Sequence, residues 1–82
     1  MEITYNVGDT INVKFSIPYN AELEYIMSSV DGKILTEGII EGLAVGNNEM
    51  NFNLEEANTN IVILTFVFDH KFYSSKKIIK KQ

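Results

Sequence analysis

Apolar and polar residues alternate with a period of two along much of the chain. In the stretch TINVKFSI, the apolar residues share one face of an extended chain and polar residues lie between them: Ile11, Val13, Phe15 and Ile17. This pattern is typical of an antiparallel strand with one face in a core, since successive side chains of a strand point to opposite faces. Pro18 ends the strand, because proline has no amide hydrogen to donate to a sheet.

Two more strands follow, joined by a tight turn. The stretch AELEYIMSSV alternates again and puts three apolar residues on one face: Leu23, Tyr25 and Met27. The stretch KILTEGII (33–40) is its expected partner. Asp31-Gly32 between the two predicts a type I′ hairpin turn, which needs positive φ at both central residues.

The second half of the chain carries three further strands. The glycine-rich segment 41–48 is expected to be loop or edge. Alternation resumes in NEMNFNL (48–54), with its apolar residues inward: Met50, Phe52 and Leu54. The stretch IVILTFVF (61–68) is apolar on both faces, which favours a central strand covered on both sides. A short turn at 69–71 then leads into FYSSKKII.

With a short opening strand at 3–5, the chain contains about seven strands separated by turns. This number and spacing predict an all-β fold, an immunoglobulin-like antiparallel β-sandwich. The 82 residues include no cysteine, so the sandwich has no disulfide. We expect a single domain that spans residues 1–82.

Charge is distributed unevenly along the chain. Residues 1–70 carry two Lys and eleven acidic residues, a net charge of −9, whereas 71–82 carry five Lys and no acid. The basic stretch is either a disordered tail or a final strand. A strand is considered because the apolar residues Phe72 and Ile78 lie among its lysines. An acidic body without arginine is a poor surface for nucleic acid, so we expect no nucleic-acid partner.

Membrane and export signals are not visible in the sequence. The longest apolar run has eight residues, against about twenty for a helix that spans a bilayer. The start, MEITYNVGD, has neither the basic nor the apolar region of a signal peptide. We therefore expect no membrane span and no export signal within this chain.

Residues that could support catalysis or bind a cofactor are few. His70, the only histidine, lies in a predicted turn without an evident nucleophile. Glu22 and Glu24 are about 7 Å apart on a strand, a glycosidase-like spacing that an exposed acidic face also produces. A possible calcium loop lacks the regular acidic spacing of an EF-hand: Glu55, Glu56, Asn58 and Asn60. We predict neither an enzyme nor a bound cofactor or metal.

Tyrosines offer a second, noncatalytic interpretation. Aromatic rings stack on sugars, and four tyrosines are spread along the chain: Tyr5, Tyr19, Tyr25 and Tyr73. Tyrosine is also an ordinary strand former. An immunoglobulin-like binding or adhesion module, for carbohydrate or protein, is therefore one hypothesis, and a structural or assembly role is another.

The order of short motifs indicates a different function. Residues 10–81 contain an Ile-Pro strand end, an Asp-Gly-Lys turn, a Gly-Asn strand start and a final Lys-apolar-apolar-Lys segment: Ile17-Pro18, Asp31-Gly32-Lys33, Gly46-Asn47-Asn48 and Lys77-Ile78-Ile79-Lys80. In this order they resemble the C-terminal sorting domains of proteins exported by the type IX secretion system of Bacteroidetes.

The resemblance implies a noncatalytic signal that directs a passenger across the outer membrane. It would pass through the periplasm to the cell surface or medium, with secretion-machinery proteins and a sortase-like protease as partners and a cargo domain upstream. The sorting-signal candidates are Lys77, Ile78, Ile79 and Lys80, together with the turn motif Asp31, Gly32 and Lys33. The alternative is that the lysines only protect an edge strand from pairing with other chains.

Overall fold

Seven antiparallel strands account for most of the described residues. The computed structural model describes residues 3–8, 10–53 and 60–79. The strands are β1 (Ile3–Val7), β2 (Thr10–Ile17), β3 (Ala21–Ser29), β4 (Ile34–Leu43), β5 (Gly46–Asn53), β6 (Ile61–Phe68) and β7 (Phe72–Ile79). The all-β fold predicted from the alternation is confirmed.

The strands form two sheets with the arrangement of an immunoglobulin-like sandwich. The three-stranded sheet has the order β1-β2-β5, and the four-stranded sheet has the order β4-β3-β6-β7. Every pairing is antiparallel. In constant-type immunoglobulin domains the fourth strand lies beside the fifth, whereas here β4 lies beside β3 in the four-stranded sheet. The strands at the edges are β1, β5, β4 and β7.

The core lies between the two sheets and takes alternate residues from their central strands. Strand β2 contributes Ile11, Val13, Phe15 and Ile17, and β6 contributes Val62, Leu64, Phe66 and Phe68, all of them buried. The ring of Phe15 lies 6.1 Å from that of Phe66 and 5.8 Å from that of Phe68. These contacts join the sheets into one apolar cluster, whose burial is the main favourable term in folding.

The turn between β3 and β4 differs from the prediction. Gly32 has a φ of 92°, but Asp31 is not among the residues with positive φ, so the turn is not type I′. The Gly32 amide donates to the Ser29 carbonyl over 3.0 Å, and the Ser29 amide donates to the Lys33 carbonyl over 2.8 Å. This is a three-residue loop in which only the last residue is left-handed, a common alternative to the two-residue turn.

Positive φ at two successive residues occurs instead in the turn between β6 and β7. Asp69 has a φ of 52° and His70 a φ of 59°. The Lys71 amide donates to the Phe68 carbonyl over 3.0 Å and closes the turn. Asp and His tolerate this conformation better than most residues with a Cβ.

The segment 41–48 is mostly edge strand. Strand β4 runs to Leu43 and β5 begins at Gly46, so only Ala44 and Val45 connect them. Strand β6 is central, as predicted, but no third layer covers its second face in the part of the chain that the structure describes. Leu54 lies outside the described residues.

Candidate functional site

The basic stretch forms edge strand β7. Strand β7 pairs with β6 along its whole length, from Phe68 opposite Phe72 to Ile61 opposite Ile79. On its other side no strand of the described residues pairs with it. The interpretation as a strand is therefore correct through residue 79, and Lys80 lies outside the described residues.

Side chains at the end of β7 divide between the core and the solvent. Ile78 is buried with 3% of its surface exposed, whereas Ile79 is 63% exposed. Lys76 and Lys77 are both exposed and point to opposite faces of the sheet. Three of the four sorting-signal candidates are thus described, and two of these, Lys77 and Ile79, are accessible to a partner.

The Asp31-Gly32-Lys33 turn is held by hydrogen bonds to Ser29, which is buried. The Ser29 hydroxyl donates to the Asp31 carboxylate, and the Lys33 amide donates to the Ser29 hydroxyl over 3.2 Å. The bond from Ser29 is the main reason that the pKa of Asp31 lies below its ordinary value of 3.8. The turn therefore presents a carboxylate and the exposed Lys33 on a fixed backbone.

The strand register brings this turn and the end of β7 to the same end of the four-stranded sheet. Ser29 pairs with Val62, and Val62 pairs with Ile78. The turn and the end of β7 are therefore about two strand spacings, or about 10 Å, apart across the sheet. We call this region the signal end.

The other two motifs lie at the opposite end of the sandwich. Ile17 pairs with Gly46, and the Val45 amide donates to the side-chain oxygen of Asn20 over 3.1 Å. Asn48 donates to the Ala44 carbonyl over 2.9 Å. These two motifs shape the connections between strands, and neither contacts the signal end.

His70 and Glu22 meet at this opposite end. His70 Nε2 lies 2.6 Å from Glu22 Oε2, and the two side chains are 71% and 32% exposed. The Asp69 carboxylate accepts a 2.9 Å bond from the Glu22 amide, and the Asp69 amide donates to the Glu22 carbonyl over 2.9 Å. The contacts attach the turn between β6 and β7 to the start of β3, which is a structural role.

Groups that could hold a metal or cofactor are sparse. Among residues 3–8, 10–53 and 60–79, no three His, Cys, Asp or Glu side chains cluster as metal ligands would. Most of the calcium candidates, Glu55, Glu56 and Asn58, lie outside these residues. No described helix is long and apolar enough to cross a membrane.

An apolar groove lies at the end of the sandwich that contains His70, and sequence reasoning did not predict it. It has a volume of about 220 Å³ and is lined by Ile17, Pro18, Tyr19, Ala21, Phe68 and Phe72. Tyr19 is 45% and Phe72 52% exposed. The groove forms where two turns from distant parts of the chain meet, so alternation within single strands gives no sign of it.

The four tyrosines do not form one aromatic platform. Tyr25 faces inward and packs against Phe52, with ring centroids 5.6 Å apart. Tyr5 is half-buried on β1, Tyr19 lines the groove, and Tyr73 is exposed on β7. A sugar-binding face made from all four is therefore not assembled.

Comparison with protein-family models gives no match, and neither curated proteins nor solved structures match the chain. The relation to type IX sorting domains stays a prediction that rests on the order of the motifs. Shared architecture with immunoglobulin-like domains does not by itself indicate a function, because this fold supports many.

Proposed function

We propose that this chain is a noncatalytic sorting domain that directs a passenger protein across the outer membrane to the cell surface or medium. The observation that supports this best is the register Ser29-Val62-Ile78, which brings two sequence motifs far apart in the chain to the signal end. A secretion component that reads one motif there can therefore read the other as well.

The signal end suits recognition by a protein. Strand β7 offers unpaired backbone groups along an edge, and a partner can add a strand to such an edge. Lys76 and Lys77 supply positive charge on both faces of that edge. Buried Ile78 anchors the strand to the core, so the partner meets a surface that is already ordered and less conformational entropy is lost on binding.

Export of a fusion protein tests the proposal. Residues 1–82 are joined to the end of a fluorescent passenger that carries a signal peptide, in a host with a type IX system. We expect the passenger on the cell surface or in the medium, and cleavage by a sortase-like protease would separate it from the domain. A passenger that stays in the periplasm with the wild-type domain would contradict the proposal.

Charge reversal at the signal end sharpens this test. The double variant Lys76→Glu/Lys77→Glu should lower export about tenfold or more, since reversed charge at a recognised surface changes attraction into repulsion. Lys14→Glu/Lys71→Glu is the matched control, because it changes the net charge equally at two exposed lysines outside the signal end. Equal losses of export in the two variants would show that export depends on the net charge of the domain rather than on the signal end.

A binding or adhesion module is the second candidate, and the apolar groove favours it. Tyr19 and Phe72 expose aromatic surface beside Pro18, and such residues are enriched where proteins bind partners. A glycan array and a peptide array would test this with the wild-type chain and with Tyr19→Ala. Signal that depends on Tyr19 would support the module, whereas signal at background level would exclude these ligands.

A further inference from the structure

The four-stranded sheet carries an apolar surface on the side that points away from the core, which we call the outer face. Ile39 on β4, Tyr73 on β7 and Ile79 on β7 are 60%, 75% and 63% exposed. Between them, Ile26 on β3 and Ile63 on β6 are only half-buried. All four strands therefore contribute apolar side chains to a face that no described residue covers.

The corresponding face of the three-stranded sheet is polar. Asn12, Lys14 and Ser16 point outward from β2, opposite Asn51, Glu49 and Asn47 of β5. Asn12 donates to Glu49 over 2.5 Å and to Asn51 over 2.9 Å. Among the described residues, the outer face of the four-stranded sheet is thus apolar and the outward side of the three-stranded sheet is polar. An apolar patch with a polar rim marks an interaction surface.

Charges on the outer face are separated by sign. Glu24 and Glu37 lie on β3 and β4, at one side, and Lys77 lies on β7, at the other. The two edge strands are about 14 Å apart, three strand spacings. The face therefore has an acidic side and a basic side with apolar residues between them.

We propose that the outer face binds the outer face of a second copy of this chain, about a two-fold axis parallel to the strands. This axis lays β7 of each copy over β4 of its partner, so the basic side of one copy meets the acidic side of the other. A two-fold axis across the strands would instead lay β4 on β4 and β7 on β7, with like charges together. The charge arrangement thus selects one symmetric dimer.

Side-chain size matches this symmetry at the centre of the face. Ser28 on β3 pairs with Ile63 on β6, so the axis sets each Ile63 against the small Ser28 of the partner. One row along, Ile26 pairs with Thr65 and meets the partner's Thr65. In these two central rows a large residue opposes a smaller one, which lets the two sheets approach toward the usual spacing of about 10 Å.

The area of the face predicts a weak dimer. Four strands about 4.8 Å apart and eight residues rising about 3.3 Å each cover roughly 19 by 26 Å, or about 500 Å² in each copy. The dimer would bury about 1,000 Å² in total, at the lower limit for a specific interface. We therefore expect a dissociation constant of roughly 10 μM to 1 mM.

Sedimentation velocity tests the dimer. The purified 82-residue chain is measured from about 5 μM to about 1 mM, which spans most of the expected range of the dissociation constant. We expect a single monomer-dimer equilibrium. Ile39→Thr should weaken it about threefold or more by removing exposed apolar surface. The matched control is Val45→Thr, since Val45 is 57% exposed but lies away from the outer face, and it should leave the equilibrium unchanged.

A charge exchange tests the direction of the axis. Glu37→Lys and Lys77→Glu should each weaken the dimer about threefold or more, and the double variant should return to within about twofold of the parent chain. A monomer at every concentration, a dimer unaffected by Ile39→Thr, or a double variant as weak as the singles would overturn the proposal. Oligomers that keep growing would overturn it too, because they indicate pairing of the β4 and β7 edges.

The dimer goes beyond the proposed sorting function, and the two can fail separately. Sedimentation measures only the association of purified chains, whereas the fusion experiment measures only export of the passenger.

Discussion

At the scale of single residues, Gly38 makes room for an aromatic ring on an edge strand. It pairs directly with Tyr25 of β3, and a Cβ added at Gly38 would overlap the end of the Tyr25 ring. That ring also packs edge-on against Phe52, with an angle of 68° between the two planes. A cross-strand aromatic ring that covers a glycine is a known device for stabilising sheet edges.

Gly38→Ala should therefore destabilise the fold. The Tyr25 ring must shift away from its contact with Phe52, so we expect the free energy of unfolding to fall by about 1–3 kcal/mol, the usual cost of overpacking. Urea denaturation measures the change. Gly8→Ala is the control, because a Cβ there meets no atom within 4 Å and should change stability by less than about 0.5 kcal/mol. Equal effects at the two positions would contradict this account.

Asp31 illustrates how one hydroxyl group sets the acidity of an exposed carboxyl. The bond from Ser29 favours the charged form, so the pKa of Asp31 is lowered from 3.8. A lowered pKa in the folded state means that the carboxylate stabilises the fold above its ordinary pKa. This contribution is lost as the pH falls below 3.8 and through the pKa of the folded state.

An NMR titration of the Asp31 carboxyl carbon checks this assignment. We expect a midpoint below 3.8 in the wild-type chain. In Ser29→Ala the midpoint should rise toward 3.8, because the largest cause of the shift is removed. Ser28→Ala, next in the chain but on the other face of β3, should leave the midpoint unchanged. A wild-type midpoint at or above 3.8 would show that the Ser29 bond does not hold in solution.

At the scale of strands, alternation was sufficient to predict which residues of β2 and β3 face the core. Burying the wrong face of either strand would expose the apolar side chains that now face the core, so the period of two determines the orientation. Turn geometry was not predictable in the same way. Asp31-Gly32 suits both a two-residue and a three-residue loop, and the choice depends on how β3 and β4 pair. The pair Asp69-His70, which contains no glycine, adopted the two left-handed conformations instead.

The candidate site was only partly predictable for a related reason. Its residues on β7 and in the Asp31 turn could be identified from sequence motifs. Their arrangement at one end of the sheet depends on strand order and register, which local patterns do not contain. The sequence indicated the apolar outer face only indirectly. The stretch IVILTFVF (61–68) predicted a strand covered on both faces, and the sandwich covers the inner face of this strand.

Strand β7 should contribute to stability through alternate residues. Ile78→Ala removes a side chain that is 3% exposed and should lower the free energy of unfolding by about 2–5 kcal/mol. Ile79→Ala removes the same atoms from a side chain that is 63% exposed, so in dilute solution we expect less than about 0.5 kcal/mol. Urea denaturation of both variants checks this, and similar losses would indicate that β7 is not held in this register.

At the scale of the whole molecule, neither sheet has a core of its own. The buried residues of both sheets form one cluster, and Phe52 of the three-stranded sheet lies 6.2 Å, between ring centroids, from Phe66 of the four-stranded sheet. Separating the sheets would expose the inner faces of both. A chain of 82 residues has little stability to spare for such a loss, since small domains bury a smaller share of their surface.

The two sheets should therefore unfold together, as a single domain would. Ile11→Ala in β2 and Leu64→Ala in β6 each truncate a side chain that is 0% exposed, and each should lower the free energy of unfolding by about 2–5 kcal/mol. Native-state hydrogen exchange then reports on each sheet separately. In either variant, protection of the slowest amides in β2 and β6 should fall by the same factor, because both exchange through the same global opening. If Leu64→Ala lowered protection in β6 and left β2 unchanged, the sheets would be independent units and the shared core would not govern stability.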